Sequence, residues 1–354
     1  MTLPTTGAAI VSPATGRWVR GRRLPVAHRP VGSSHQAAPV ADRPVDAPPA
    51  VPAADTGAAP VAPPTRSKLA AYVALTKPRI IELLLVTTVP TQVVAARGLP
   101  SGWLVLWTVL GGTLAAGGAN AINMVVDRDI DRLMKRTQKR PLVTGELTPR
   151  AAMVFAVGLE VAAFALLWGT VNLLSAVLAV SATLFYVFVY TLWLKRTSKQ
   201  NIVIGGAAGA APVLIGWSSV TGSLAWAPVV LFAVIFVWTP PHFWCLAVRY
   251  RDDYAAADVP MLPVVASMRA VCLRIVGYTA VLWGLTLLFA PVADMGTLYL
   301  AAAVVLGAVY LGLTVDLLRR PDAAKAMRLF HWSITYVTLL FGAMALDQLL
   351  AGGA

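Results

Sequence analysis

The chain reads as an all-α, multi-pass membrane protein, on three observations. Of its 354 residues 58% are hydrophobic and only 13% charged, about half the charged fraction of a soluble domain, and mean hydropathy is +0.70. Stretches of roughly 20 apolar residues recur from residue 80 onward, each long enough to cross a hydrocarbon core of about 30 Å. The basic residues gather in alternate loops. Together these predict nine transmembrane helices, with the N-terminus in the cytoplasm and the C-terminus outside.

Residues 1–68 come first, rich in Pro, Ala and Val in runs such as "DAPPAVPAAD". They lack helical period and the apolar core of a signal peptide, so a disordered cytoplasmic tail is expected. The five arginines without an acid in residues 1–41 weakly suggest a transit peptide. Scarce Ser and the Ala/Pro bias favour a solvated bacterial tail. That makes the bacterial plasma membrane the expected location, with the mitochondrial inner membrane as the alternative. Residues 69–354 form the membrane domain, with spans expected at 80–98, 102–125, 150–170, 172–194, 202–220, 224–248, 270–291, 296–318 and 329–350.

Lys and Arg crowd the loops after spans two, four, six and eight, while the other side holds Arg97 and little else. That asymmetry sets the orientation. It also accounts for the net charge of +13 as topology, with no nucleic-acid partner implied. Lys139, Lys199 and Arg320 are read as such anchors. Aspartates after span two (Asp127) and span six (Asp252, Asp253), and basic pairs after spans four and eight, suggest a four-span repeat plus one helix. Cys245 and Cys272 have no metal-ligand spacing.

The loop after span two carries the chemistry. In "NAINMVVDRDIDRLMKRTQKRPL" (120–142), Asn123, Asp127 and Asp131 stand four apart. If the helix continues past Val126, they share one face. Like charges at that spacing repel unless a cation sits between them. A second acidic cluster, "RYRDDYAAADVPMLPV", opens on the same side. Two carboxylate clusters with Lys and Arg beside them suit Mg²⁺ bridging to a phosphate group. The arrangement describes a diphosphate site at a membrane surface, with an apolar tail lying between the spans. Solvated aspartates beside topology-setting cations are the simpler alternative.

With these residues in view, the chain resembles the UbiA-type intramembrane prenyltransferase superfamily, and within it the protohaem IX farnesyltransferase (haem O synthase) branch. Asn123-x-x-x-Asp127-x-x-x-Asp131 matches the superfamily's Asp-rich motif. "LTKPRI" (75–80), "YTLWLKRTSKQNIVIGGAAGAAPVLIGW" (190–217), "WTPPHFW" (238–244), "RDDYAAADVPMLPVV" (251–265) and "LFHWSITY" (329–336) match the branch. Asp258 departs, standing where that branch usually has Gly.

The resemblance implies a nine-helix fold around a central cavity, and transfer of a farnesyl group from farnesyl diphosphate to a vinyl group of haem b. It implies that Asn123, Asp127 and Asp131, with Asp252 and Asp253, hold Mg²⁺ on the diphosphate, the metal resting on Asp127, Asp131 and Asp253. Lys135, Arg136, Arg140, Lys195, Arg196 and Arg249 become diphosphate grips. Lys77 and Arg79 are weaker candidates, since either could anchor span one. Expected partners are farnesyl diphosphate, haem b and the bilayer, and, among proteins, a haem A synthase or a terminal-oxidase assembly factor.

Tyr186 and Tyr190, four apart, are candidates for shielding an allylic cation, with interfacial belt tyrosines as the alternative. His242 and His331 are candidate haem contacts, or helix-packing hydrogen bonders. Pro240 and Pro241 are expected to break span six. Glu160 is a mid-span carboxylate without a role. Rival readings are another aromatic prenyltransferase, for quinone or lipid synthesis, and a secondary transporter. A transporter needs a midplane site, whereas these ionisable clusters crowd one face.

Overall fold

The computed structural model describes residues 66–352, without the side chains of residues 79–85 and 352. All but residues 66–68 of the expected tail, and the Arg79 side chain, lie outside the described residues. Regular structure among the described residues is entirely helical.

Helix α1 (Lys68–Thr76) is capped by the Ser67 hydroxyl, which accepts from the Ala70 N–H. Lys77, at φ 53°, ends it. Pro78 then opens α2 (Pro78–Ala96), where a missing N–H is harmless. Helix α3 (Gly102–Val126) runs into α4 (Arg128–Leu133). The ladder continues through the joint, Asp127 N–H donating to Asn123 O (2.9 Å) and Asp131 N–H to Asp127 O (2.9 Å). The expected common face of Asn123, Asp127 and Asp131 therefore forms. Next come α5 (Pro141–Thr144) and α6 (Pro149–Thr170). Helix α7 (Leu173–Leu184) leads into a π-helical segment, Phe185–Leu194, and then α8 (Lys195–Thr197). The chain finishes with α9 (Asn201–Thr221), α10 (Trp226–Arg249), α11 (Arg251–Ala256), α12 (Leu262–Val265), α13 (Met268–Val292), α14 (Thr297–Arg319) and α15 (Ala323–Gly352).

Among the described residues eight helices are long and apolar enough to cross a membrane, and they coincide with predicted spans two to nine. Helix α2, 19 residues long, occupies the first, and its described side chains include the apolar stretch Val86–Ala96. The protein is an integral membrane protein.

The structure corrects the expected break in span six, lengthens the last span at its start and shows how the chain accommodates Asp258. Helix α10 is not broken at Pro240 and Pro241 but runs on to Arg249. Both prolines are buried, and tight packing by neighbouring helices carries a helix past such missing donors. Helix α15 starts at Ala323, so His331 lies inside it instead of opening it. Asp258 takes up φ 51°, the left-handed conformation that Gly enters freely and Asp tolerates better than most residues. The turn therefore survives the departure from Gly.

Neighbours α3–α6–α7–α9 recur in order as α10–α13–α14–α15, the pairing a four-span repeat would give. The core of the second set is filled by Trp244, Phe289, Tyr299, Tyr310, Tyr336 and Phe341, with an open pocket of about 380 Å³ between Trp283 of α13 and the end of α14. The first set, with α2, instead encloses a cavity of about 220 Å³ walled mostly by Ala and Gly. Polar ties join helices inside the bundle: Ser175 to Ser218 (2.8 Å), Gln92 to Ser219 (2.9 Å) and Trp238 to the Ser333 carbonyl (2.9 Å). Such ties contribute about 0.6 kcal/mol each in a membrane.

Candidate active site

The α3–α4 face meets the end of the π segment. Asn123 stands at the centre, donating to Asp127 Oδ2 (2.7 Å) and Thr191 Oγ1 (3.1 Å) and accepting from Lys77 Nζ (2.9 Å). Asp127 is fully buried and paired with Lys195. Arg196 grips Asp129 through both guanidinium nitrogens (2.7 Å each) and approaches Asp127 Oδ1 at 3.8 Å. Arg140 pairs with the buried Asp131 at 2.6 Å. The cations that the carboxylate spacing demands are thus supplied by the chain itself.

Four cations (Lys77, Arg140, Lys195, Arg196) face three carboxylates (Asp127, Asp129, Asp131), a balance that favours a further anion. Burial, with Arg140 and Lys195 alongside, pulls Lys77 down to about 7. The Arg196 hydrogen bonds hold Asp129 down at about 2. Asp127 Oδ1 and Asp131 Oδ1 are buried without a hydrogen-bond partner, and such atoms are rare without a ligand to satisfy them.

The second acidic segment joins from α11. Ile130 and Met134 pack with Tyr254 and Met261 in one apolar cluster that also takes in Tyr190 and Phe243. Above it the Arg136 N–H donates to Asp253 (3.2 Å) and its guanidinium to the Tyr254 hydroxyl (3.2 Å), lying over the Tyr250 ring at 5.1 Å. Asp252, Lys135 and Arg249 are exposed and join neither group. No three acidic or other metal-ligating side chains converge among the described residues. Asp127, Asp131 and Asp253 therefore do not form the single ligand group expected. Intervening cations hold the first two, and Asp253 is engaged by the Arg136 backbone. The orphaned oxygens of Asp127 and Asp131 nevertheless fit a hard divalent cation, which takes oxygen ligands.

Below the carboxylates the site opens on the cavity. Asn120, one turn before Asn123, lines it together with Tyr186, Thr183, Ala208 and Gly112. Tyr186 and Tyr190 are stacked, centroids 5.4 Å apart. Glu160 reaches this wall by accepting from Thr183 (3.2 Å). His242 is held between Trp238 (4.2 Å) and Phe330 (4.5 Å), with Nδ1 2.7 Å from Ser333 Oγ. The Ser333 hydroxyl donates to the Phe330 carbonyl (2.6 Å), so its single proton is committed. Nδ1 must then be the donor, which leaves Nε2 with a free lone pair. His331 is exposed, on the far side of Phe330, and the two histidines are not brought together.

Sequence reasoning ranked Lys77 low, yet it lies at the centre. It passed over Asp129, Thr191 and Tyr254. Asp129 sits between two motif aspartates, so its pairing was open to inference. Thr191 had no signal, because its place depends on the π register.

Comparison with known proteins identifies the family and the fold. The model of the UbiA prenyltransferase family matches residues 84–335. A protoheme IX farnesyltransferase of Clavibacter michiganensis subsp. michiganensis is 56% identical over 286 residues, covering 80% of this chain and 94% of the relative. Protoheme IX farnesyltransferase 1 of Saccharopolyspora erythraea is 55% identical over 303 residues, covering 84% and 96%. Among solved structures, one from work on digeranylgeranylglyceryl phosphate synthase superposes with a TM-score of 0.67 at 17% identity, over 80% of this chain and 99% of that one. A UbiA homologue from Archaeoglobus fulgidus bound to GPP and Mg²⁺ superposes at 0.53, with 16% identity over 77% and 99%. These two structures speak for the fold.

Proposed function

From the premise that the chain belongs to the UbiA prenyltransferase family, we infer that it transfers the farnesyl group of farnesyl diphosphate to a vinyl group of haem b, giving haem O and diphosphate. The observation that carries this reading is a junction. A cluster of buried carboxylates and cations stands directly over an apolar cavity of small residues, the two joined through Asn120–Asn123 and Tyr186–Thr191.

In this reading the diphosphate lies at the cation cluster, gripped by Lys77, Lys195, Arg196 and Arg140, with Arg136 beside it. The farnesyl tail descends into the cavity. Asp127 and Asp131 would hold Mg²⁺ through their unpartnered oxygens, and the metal would neutralise charge on the departing diphosphate. The cations act in the same sense, stabilising charge that develops on the leaving group. Haem b lies toward α10, where Phe243 belongs to the site's apolar cluster and the adjacent His242 offers its Nε2 lone pair to iron. His331 is left with a contact at the haem's edge. Asp252, Lys135 and Arg249, all exposed, keep at most a role in drawing the anion in. The chain crosses the membrane nine times, counting α2, in a bacterial plasma membrane, with the site facing the cytoplasm and the C-terminus outside.

The test is full-length protein in liposomes, given farnesyl diphosphate and haem b and assayed for haem O. We expect product with Mg²⁺ and its loss in excess chelator. Undiminished turnover in chelator would remove the metal. Prenylation of a quinone precursor in place of haem would overturn the substrate assignment. An alkaline phosphatase fusion at the C-terminus should be active; an inactive one refutes the orientation.

A further inference from the structure

Of the two stacked tyrosines, Tyr186 lines the cavity and Tyr190 follows it along the helix toward the carboxylate cluster. Along the α7–α8 wall, Thr183 and Tyr186 line the cavity, Tyr190 follows, and Thr191 and Lys195 reach Asn123 and Asp127. An α-helix turning about 100° per residue would put Lys195 half a turn away from Tyr186. The π-helical segment Phe185–Leu194, with i→i+5 bonding, turns by only roughly 80° per residue. Tyr186, Tyr190, Thr191 and Lys195 then fall on one side, as their contacts show. This register fixes the tyrosines from their own helix.

From the opposite side α9 meets Tyr190 at Gly205. A Cβ added there would lie 2.4 Å from Tyr190 Cδ2 and 3.0 Å from Cγ, so any side chain must displace the ring. The ring has nowhere cheap to go, since it belongs to the apolar cluster that joins the two aspartate segments. By contrast, a Cβ at Gly209, one turn on, meets nothing within 4 Å.

We propose that Gly205 is a positioning residue for the tyrosine pair, and that the pair decides whether the activated farnesyl carbon meets haem or water. This rests on the farnesyl-transfer reading. In transfer, the C1–O bond breaks and its electron pair leaves with the diphosphate. The vinyl π pair then forms the new C–C bond. The resulting carbon cation beside the macrocycle takes up the oxygen of a water molecule, which releases a proton. If water reaches C1 first, the same cleavage gives farnesol and a proton instead. A tyrosine pair between the cavity and the carboxylate cluster, ring faces toward the developing cation, stabilises it and keeps water from C1.

The experiment compares farnesol with haem O formed by the full-length protein in liposomes. Gly205→Ala should raise the farnesol-to-haem O ratio about tenfold or more, the scale expected for an ångström-sized displacement at a reacting centre. Gly158→Ala, on α6 with no atom within 4 Å of the added Cβ, should leave it unchanged. Tyr190→Leu should raise the ratio similarly, and the Gly205→Ala/Tyr190→Leu pair should add nothing further. A loss of fold lowers both products together and does not move the ratio. An unchanged ratio in Gly205→Ala overturns the proposal. Should that variant fail to insert, an unchanged ratio in Tyr190→Leu overturns it instead. If the unmodified protein makes neither product, it is the farnesyl-transfer reading that fails.

Discussion

Lys77 shows how far surroundings change a side chain's meaning. It sits at φ 53° between α1 and α2, bonded to Asn123 and crowded by Arg140 and Lys195. An arriving diphosphate relieves that crowding, so Lys77→Ala should raise KM for farnesyl diphosphate about tenfold or more, on the scale of a charged hydrogen bond of ~1.5–3 kcal/mol. Steady-state kinetics at fixed haem check it. Asp127 and Lys195 behave as a unit. Asp127→Ala leaves a buried ammonium unpaired and should destabilise by about 3–5 kcal/mol. Adding Lys195→Met should recover stability in a thermal melt but not turnover. Recovered turnover would show the pair to be structural only. The regular Asn123–Asp127–Asp131 spacing was legible in the sequence because helix geometry is local. The identity of each partner cation was not, since Lys195 and Arg140 arrive from other segments.

At the scale of elements, the cavity belongs to α2, α3, the α7–α8 segment and α9, and under the farnesyl-transfer reading its small residues set the space for the prenyl tail. Gly112 lies eight residues before Asn120 on α3, about 12 Å deeper at 1.5 Å per residue. Gly112→Leu should therefore favour geranyl over farnesyl diphosphate. The ratio of kcat/KM values is expected to shift about tenfold or more, given that one methylene is worth ~1–3 kcal/mol in an apolar pocket. A competition assay with both diphosphates reads this directly. The helices themselves were readable from apolar runs alone, α3 to within one residue at each end. The π segment was not, because hydrophobic content does not distinguish i→i+4 from i→i+5 bonding. Nor was the continuity of α10 through Pro240 and Pro241, which depends on the helices packed round it.

For the whole molecule, the two halves divide labour. The α10–α15 half is filled by large aromatic residues, while the α2–α9 half holds the cavity and most of the charged site. Asp347 of α15 ties the end away from the site, accepting from the N–H groups of Gly296 (2.6 Å) and Tyr299 (3.1 Å) at the start of α14. Residues 1–68 have a composition that cannot build a core, so a chain starting near Ser67 should convert haem b to haem O in membranes at close to the full rate. A shortened chain that inserts normally but is inactive would assign the tail to the site.

Membrane residence, the position of the long helices and the presence of a carboxylate-rich face flanked by Lys and Arg were determined by the sequence alone. Each follows from local quantities: apolar length against bilayer thickness, charge asymmetry between loops, and a four-residue spacing on one helix. The tertiary structure decided which cation answers which carboxylate, that Asp253 stands apart from Asp127 and Asp131, and that His242 keeps a free Nε2 while His331 is exposed. It also decided that the Tyr190 ring sits against Gly205 of α9. These depend on segments 9 to 117 residues apart meeting in space, and no single-helix periodicity encodes that meeting.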